Sequence, residues 1–429
     1  MLFFYKISTI ILYPFVVLLI YLRSFFNKED QVRYKEKIFS SSFRVLKNNR
    51  KKLIWFHVAS IGELLSILPL VEEINSFNKN IEFLITSVTL SSSNLLKKKL
   101  SQYNNITHRF MPVDTEYLSE KFLSAWKPDL ICFVESEVWP NFLFKIKEKK
   151  IPLALINGRI TKKTFMRWNI LAKFAQAVFN NFDLCIACSK ESENNLKKLQ
   201  TKNLSYVGNL KYSVKNKKEN LEESNIKILN TFKVWCAAST HDTEESTMLK
   251  THLEIKKKFK NTLTIIIPRH IKRVPEIKKL TDEFNLTSQI LNDGDLIDGK
   301  KEILIINSFG VLFKFFSYCK NIFIGKSLIK KLKMVGGQNP IEPAKFGCRI
   351  FYGPYVYNFQ EIYDYLNTKN ISEQIVDEKD LAEKIIQNFE SPKKIEEKNI
   401  NLLNNYGIKI LNHTLSELNK LVNIKNENF

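Results

Sequence analysis

Short apolar runs alternating with amphipathic stretches constrain this chain more than any other feature. LIWFHV is followed by SIGELLSILPLVEEI, IEFLIT by SNLLKKKL, DLICFV by VWPNFLFKIKE, LALI by a basic segment and LCIACS by ESENNLKKL, and SYVGN closes the series. A second series, VWCAAS, LTIIIP, EILIIN, NIFIG and RIFYG, again has helices between its members. Runs of this length are strands between helices, so each half is expected to build a parallel sheet covered on both faces, a Rossmann-like α/β fold. Ligands of such sheets gather beyond the carboxyl ends of the strands. At 429 residues, 44% of them apolar, the chain has material for two cores. The polar stretch 213–230 reads as an interdomain linker, and the chain from Leu381 onward is charged and helical. The expected division is therefore 1–37 as membrane anchor and basic linker, 38–215 as the first domain and 216–429 as the second, with C-terminal helices.

Residues 7–22 carry no charge and are flanked by Lys6 on one side and by Arg23, Lys28, Arg33, Lys35 and Lys37 on the other. As a helix they span about 24 Å, slightly short of a hydrocarbon core of roughly 30 Å. No small-residue cleavage site follows, so the segment reads as a retained anchor, and the basic C-terminal flank places the rest of the protein in the cytoplasm. A helix lying in the membrane surface is the rival reading. The chain holds 66 basic against 44 acidic residues, a net charge of +22, which fits an anionic membrane or a polyanionic substrate. Nucleic acid is not expected, because no aromatic RNA-binding signature accompanies the scattered lysines. The six cysteines lie mostly within apolar runs, as buried thiols of a reducing compartment do, and strand alternation accounts for the Cys185–Cys188 spacing.

Polar groups at the strand ends are the candidates for chemistry. In the first half these include Ser60, Gly62 and Glu63 in ASIGE, Glu135 and Glu137 in ESE, and Arg159 in NGR. Glu63 opens a helix just beyond a strand, where a general base can reach a substrate hydroxyl; a carboxylate favoured by the helix dipole is the plainer alternative. Glu135 and Glu137 point the same way if their strand continues, as an acid–base pair or as solvated loop residues. Arg159 and Arg269 suit phosphate or carboxylate, with an ordinary surface arginine as the alternative. The second-half candidates are Ser239 and His241, Arg269 and His270, and Lys326 and Ser327, joined by GGQNPIEPA at residues 336–344. There Gly336 and Gly337 permit close backbone approach, Asn339 is placed to cap a helix with Pro340 at its first position, and Glu342 completes a capping box. The two sets converge on one cleft if the sheets face each other.

Other chemistries are set aside. GKS at residues 325–327 has Lys320 where a phosphate-binding loop needs glycine, no histidines take metal-ligand spacing, and Asp293 and Asp295 lie in a polar turn.

Taken in order, the N-terminal apolar segment, HVASIGE, FLITSVT, PDLICFVESEVWPN, LALINGRIT, VGNLKY, AASTHDTEE, IIIPRH, GGQNPIEPAKFG and YGPYVYNFQEI resemble the Kdo transferases, glycosyltransferases that add 3-deoxy-manno-octulosonic acid to lipid A precursors. The resemblance covers essentially the whole chain. It implies a two-domain GT-B fold with a central cleft, the lipid A precursor on the N-terminal domain and the donor CMP-Kdo on the C-terminal one. It also implies inverting transfer without a metal or other cofactor, at the cytoplasmic face of a bacterial inner membrane. Glu63 maps to the family's general base, Glu135 and Glu137 to its ExExWPN carboxylates, and Arg269, Gly336, Gly337, Asn339 and Glu342 to its donor site. The chain departs from the family at Gln338, usually histidine, at Lys326, usually glycine, and at Val311, usually acidic. Two alternatives remain: another nucleotide-sugar enzyme, such as a UDP-sugar transferase or epimerase, and a non-catalytic basic membrane scaffold.

Overall fold

The computed structural model describes residues 1–43, 51–100, 103–215, 220–308, 310–392 and 395–424. The chain divides into two compact units, one of residues 1–214 with 406–429 and the other of residues 215–405. The sequence expectation assigned everything from 216 onward to the second domain, whereas the last residues group with the first. A close backbone approach at a glycine ties them there: a β-carbon on Gly407 would sit 2.0 Å from the carbonyl oxygen of Tyr212. Asn78 also donates to the Ile424 carbonyl, and Ser205 meets His413 Nε2. Residues 216–219 of the expected linker lie outside the described residues. The rest of that linker contains a helix, Glu223–Leu229, formed because Asn225 and Leu229 find buried positions.

Among the described residues the first unit holds a seven-stranded parallel sheet of order β3-β2-β1-β4-β5-β6-β7. Its strands are β1 Lys52–Val58, β2 Ile81–Ser87, β3 Ile106–Phe110, β4 Leu130–Val134, β5 Leu153–Gly158, β6 Leu184–Ala187 and β7 Leu204–Tyr206. The second unit holds β8 Lys233–Thr240, β9 Thr262–Pro268, β10 Ser288–Leu291, β11 Ile303–Ile306, β12 Asn321–Ile324, β13 Arg349–Tyr352 and β14 Ser372–Gln374. Their order is β10-β11-β9-β8-β12-β13-β14. The order reverses between β1 and β4 in one sheet and between β8 and β12 in the other, and at such points the helices diverge and open a crevice beyond the strand ends.

The central strands are apolar on both faces, as strands covered on both sides must be. Trp55, fully buried on β1, packs its ring against Phe122, Phe133 and Phe142, with centroids 5.0–5.8 Å apart. The first unit begins with an apolar helix, Leu2–Phe25, longer at both ends than the uncharged run.

Because Gly407 lets two backbones touch, Gly407→Val is expected to destabilise the first unit by about 1–3 kcal/mol, the cost of overpacking. Calorimetry and limited proteolysis read this as a lower melting temperature and faster cleavage of the C-terminal helix. An unchanged variant would show that this helix is not packed where the structure places it.

Candidate functional site

Glu63 stands in the first turn of the helix Ile61–Phe77, which starts just after β1 at the reversal point. Ser60 is the N-cap, and its oxygen accepts from the Glu63 N–H at 3.3 Å. The carboxylate reaches back, one oxygen accepting from the Ala59 N–H at 2.7 Å and the other from the Ser60 hydroxyl at 3.0 Å. This is a variant of the capping box, with the carboxylate on the N–H of Ala59 instead of that of the N-cap Ser60. The nearest heavy atom to a β-carbon on Gly62 would be Ser60 Oγ at 3.9 Å, so glycine is not required by space there and instead leaves the turn uncovered. Burial, then the negative charge of Glu135, and more weakly that of Glu137, push the Glu63 carboxyl up to about 7 against the lowering effect of its two donors.

Glu135 and Glu137 do not continue β4. Glu135 takes a left-handed φ of 56°, which ends the strand and sends the two side chains to different partners. Glu135 is buried and accepts from Lys211 Nζ at 2.5 Å and Asn157 Nδ2 at 3.4 Å. Asn157, itself at φ 51°, accepts from the Leu210 N–H at 2.8 Å, which ties the VGNLKY turn to the strand ends. Glu137 Oε2 lies 3.2 Å from His57 Nε2 and 2.8 Å from the donating Trp139 Nε1. On its other side His57 Nδ1 lies 2.9 Å from Thr86 Oγ1, which also accepts from Trp55 Nε1 and approaches Met111 Sδ at 3.8 Å. Burial alone would raise the Glu137 carboxyl; the hydrogen bond and charge of His57 outweigh it and hold the group below the usual range. The Arg159 backbone is fixed on both sides, its N–H donating to the Glu135 carbonyl at 3.0 Å and its carbonyl accepting from Ser136 Oγ at 2.8 Å. His57 escaped sequence reasoning because a histidine inside an apolar strand gives no spacing signal.

In the second unit the ends of β8 and β12 are pressed together. A β-carbon on Gly325 would lie 2.5 Å from the Ser239 carbonyl oxygen. Ser239 and Lys326 both take left-handed φ, 57° and 59°. Glycine adopts that conformation freely, which gives a physical sense to the departure at Lys326. Glu244 organises the turn: its buried carboxylate accepts from the N–H groups of His241, Lys326, Ser327 and Leu328 at 2.7–3.0 Å. Glu244 was not among the expected site residues; its only signal is its place at a helix start in THDTEE.

Ser327, expected at the donor site, is fully buried, donates to the Ile324 carbonyl and accepts from the Gly353 N–H, so its hydroxyl is engaged within the fold. Gly336 and Gly337 serve close approach to the protein's own backbone. Their β-carbons would lie 2.1 Å from the Tyr355 carbonyl oxygen and 3.0 Å from Val356 Cα. The helix that follows is only Ile341–Lys345, with Pro340 rather than Asn339 at its N-cap position. Asn339 instead accepts from the Ile341 N–H at 3.1 Å in a local turn. Glu342 lies partly exposed in that helix's first turn, and Gln338 contributes its carbonyl to the Tyr363 hydroxyl at 3.1 Å.

Side-chain cations therefore dominate these strand ends. Arg269 and His270 are exposed just beyond β9, and the His241 and His270 rings lie 5.6 Å apart. Burial, together with the positive charges of Lys326, His270 and Arg269, lowers the His241 ring to about 4, although its Nδ1–H donates to the Ser239 carbonyl. Val311 lines a separate cavity of about 280 Å³ with Asp293, Asp295 and Lys314, where Asp293 pairs with Lys314 and Asp295 accepts from the Asn292 N–H. Among the described residues no group of three or more His, Cys, Asp or Glu side chains is placed to hold a metal ion.

Glu244→Ala leaves four backbone donors without their acceptor, and is expected to cost the second unit about 3 kcal/mol or more, with Glu244→Gln costing less. Calorimetry decides this; equal melting of Glu244→Ala and wild type would remove Glu244 from its organising position.

Comparison with known proteins places this geometry. Residues 33–214 match the family model described as 3-deoxy-D-manno-octulosonic-acid transferase (kdotransferase). A 3-deoxy-D-manno-octulosonic acid transferase of Rickettsia bellii is 32% identical over 353 residues, 82% of each chain. Among solved structures, a glycosyltransferase from Rickettsia africae is similar at 12% identity with a TM-score of 0.58, covering 87% of this chain and 99% of that one. A UDP-GlcNAc 2-epimerase from Neisseria meningitidis is similar at 16% identity and TM-score 0.57, covering 86% and 98%. The two structures share the fold alone and agree with an α/β chain of the GT-B class. With a relative of such identity matched over most of both chains, the protein belongs to the 3-deoxy-D-manno-octulosonic-acid transferase family.

Proposed function

We propose that this glycosyltransferase moves Kdo from CMP-Kdo to a hydroxyl of a lipid A precursor, with inversion and without a metal, at the cytoplasmic face of the inner membrane. The observation that carries the reading is the Glu63 carboxyl: it sits at the reversal point of the first sheet, and burial with the nearby Glu135 brings it to about 7, where a general base works best near neutral pH. In the reaction Glu63 takes the proton from the attacking sugar hydroxyl. The oxygen forms its bond to the anomeric carbon of Kdo as the bond to the CMP phosphate breaks, and CMP departs with the electron pair.

The second unit would hold the donor. Departure of CMP leaves negative charge on its phosphate, and the exposed Arg269 and the charge of Lys326 near His241 and His270 support holding it. The turn at residues 336–340 adds little, because the Gly337 N–H is already given to the Lys326 carbonyl. Glu342 would accept from the ribose hydroxyls, with the Asn339 amide nitrogen and the Ser239 hydroxyl as further contacts, while Ser327 supports only the turn. On the first unit, Glu137 keeps Oε1 for acceptor hydroxyls while Oε2 is engaged, and Arg159 would meet an acceptor phosphate. Glu135, engaged by Lys211, acts through its charge on Glu63.

Glu63→Gln is expected to abolish transfer from CMP-Kdo while CMP binding and folding persist. In the wild type, kcat/KM should rise through an apparent pKa near 7, as the base ionises. Offering CMP-Kdo or UDP-sugars with lipid A precursor, and weighing the product, tests the donor. Wild-type turnover by Glu63→Gln removes the base, and product from a UDP-sugar alone overturns the reading.

A further inference from the structure

The N-terminal helix is attached to the first unit at both of its ends. Near its start, the Tyr5 hydroxyl donates to Asp114 Oδ2 at 2.8 Å and Lys6 pairs with Glu116 at 2.6 Å. Thr9 accepts from Asn141 Nδ2, and Tyr13 donates to the Ile38 carbonyl. Near its end Ile20 and Ser24 are buried, and Arg23 pairs with Glu29, which also holds the buried Lys37. The opposite flank is bare: Phe3, Phe4, Ile10, Ile11, Phe15, Leu18 and Leu19 are each more than half exposed.

At 1.5 Å per residue a helix of this length, about 36 Å, is long enough to cross a hydrocarbon core of roughly 30 Å. Crossing would carry Tyr5 and Lys6 to the far side, or pull Asp114 and Glu116 into lipid. Asp114 is buried beneath Tyr5 and also accepts from the N–H groups of Asn141 and Phe142, so it belongs to the folded unit. Both ends of the helix therefore stay on the side of the unit that holds them.

A second bare patch lies on a neighbouring element of the same unit. The helix Lys162–Asn169 and the residues after it turn Phe165, Trp168 and Phe174 to the core, while Met166, Ile170 and Leu171 are 60%, 80% and 44% exposed. The exposed Lys162, Lys163, Arg167 and Lys173 rim it. The Tyr5 and Phe174 rings lie 5.9 Å apart, so the two elements that carry these patches are in contact. An apolar surface rimmed by cations fits an anionic bilayer, whose lipids attract such a rim.

We propose that the first unit rests on an anionic bilayer through two elements, the N-terminal helix lying along the membrane surface without crossing it and the corner formed by Met166, Ile170 and Leu171. The helix that carries the corner begins three residues after Arg159, which sets the candidate acceptor side beside the lipid. This last point rests on the lipid-linked acceptor proposed above, whereas the bilayer contact does not, and vesicles without acceptor test it separately.

The six native cysteines are buried, so a membrane-impermeant maleimide can report introduced ones. The full-length protein in phosphatidylcholine–phosphatidylglycerol vesicles carries one cysteine, either in a short extension ahead of Met1 or at the exposed Glu148. Both positions are expected to label from the same side. A combined Met166→Ser, Ile170→Ser and Leu171→Ser variant is expected to bind these vesicles at least about tenfold more weakly with an unchanged melting temperature. Labelling of the extension only from the side opposite Glu148→Cys overturns the proposal, as does wild-type vesicle binding by the triple variant. A concentration-dependent dimer that the triple variant loses, with vesicle binding intact, would assign the corner to a second copy of the chain and also overturn it.

Discussion

Parallel strands that end at a reversal point leave backbone donors beyond the sheet with no neighbouring strand to take them, and buried donors must be satisfied. In both units a glutamate from the next helix supplies the acceptor. Glu244 is consumed by the task, its oxygens shared among four N–H groups that lock the turn at residues 326–328. Glu63 performs the same service with only two donors, from Ala59 and Ser60. It is also buried and stands near two further carboxylates, so its charged form is costly and its proton is held until about 7. One device thus becomes a rigid structural group in one unit and a titrating group in the other.

The neighbouring carboxylates differ through their own partners. Glu137 is held low by His57, whose other ring nitrogen meets Thr86 beside Trp55 deep in the core. Glu135 is fixed by Lys211 and Asn157. Separation of otherwise similar acids by environment is how a site assigns different roles to chemically identical groups. The second unit gathers cations instead, around His241. Acidic strand ends in one unit and cationic ones in the other suit a reaction in which a hydroxyl loses a proton and a phosphate takes up charge.

The two-sheet architecture was legible because the central strands are uniformly apolar. Strands β3, β10 and β14 were not, since ITHRF, SQIL and SEQ lie at or beside the sheet edges and carry the polarity such positions tolerate. The conformations at Glu135, Asn157, Ser239 and Lys326 were hidden for another reason: left-handed backbone is expected of glycine, and here larger residues are held in it by tertiary contacts. A capping box was expected at Asn339 and Glu342 and a variant of it occurs instead at Ser60 and Glu63, where the helix is long enough to need one. Both sites match S/N-x-x-E, and only the fold decides between them.

Burial and neighbouring charge set the Glu63 carboxyl, and its titration reads both. Because the folded-state value lies above the ordinary 4.5, the group adds stability at acid pH that fades as pH rises through about 7. Infrared difference titration of wild type against Glu63→Gln, repeated in a Glu135→Gln background, isolates that one carboxyl. The account predicts a midpoint near 7 that falls when Glu135 is neutralised. A midpoint near 4.5 in the wild type, or one indifferent to Glu135, would contradict it.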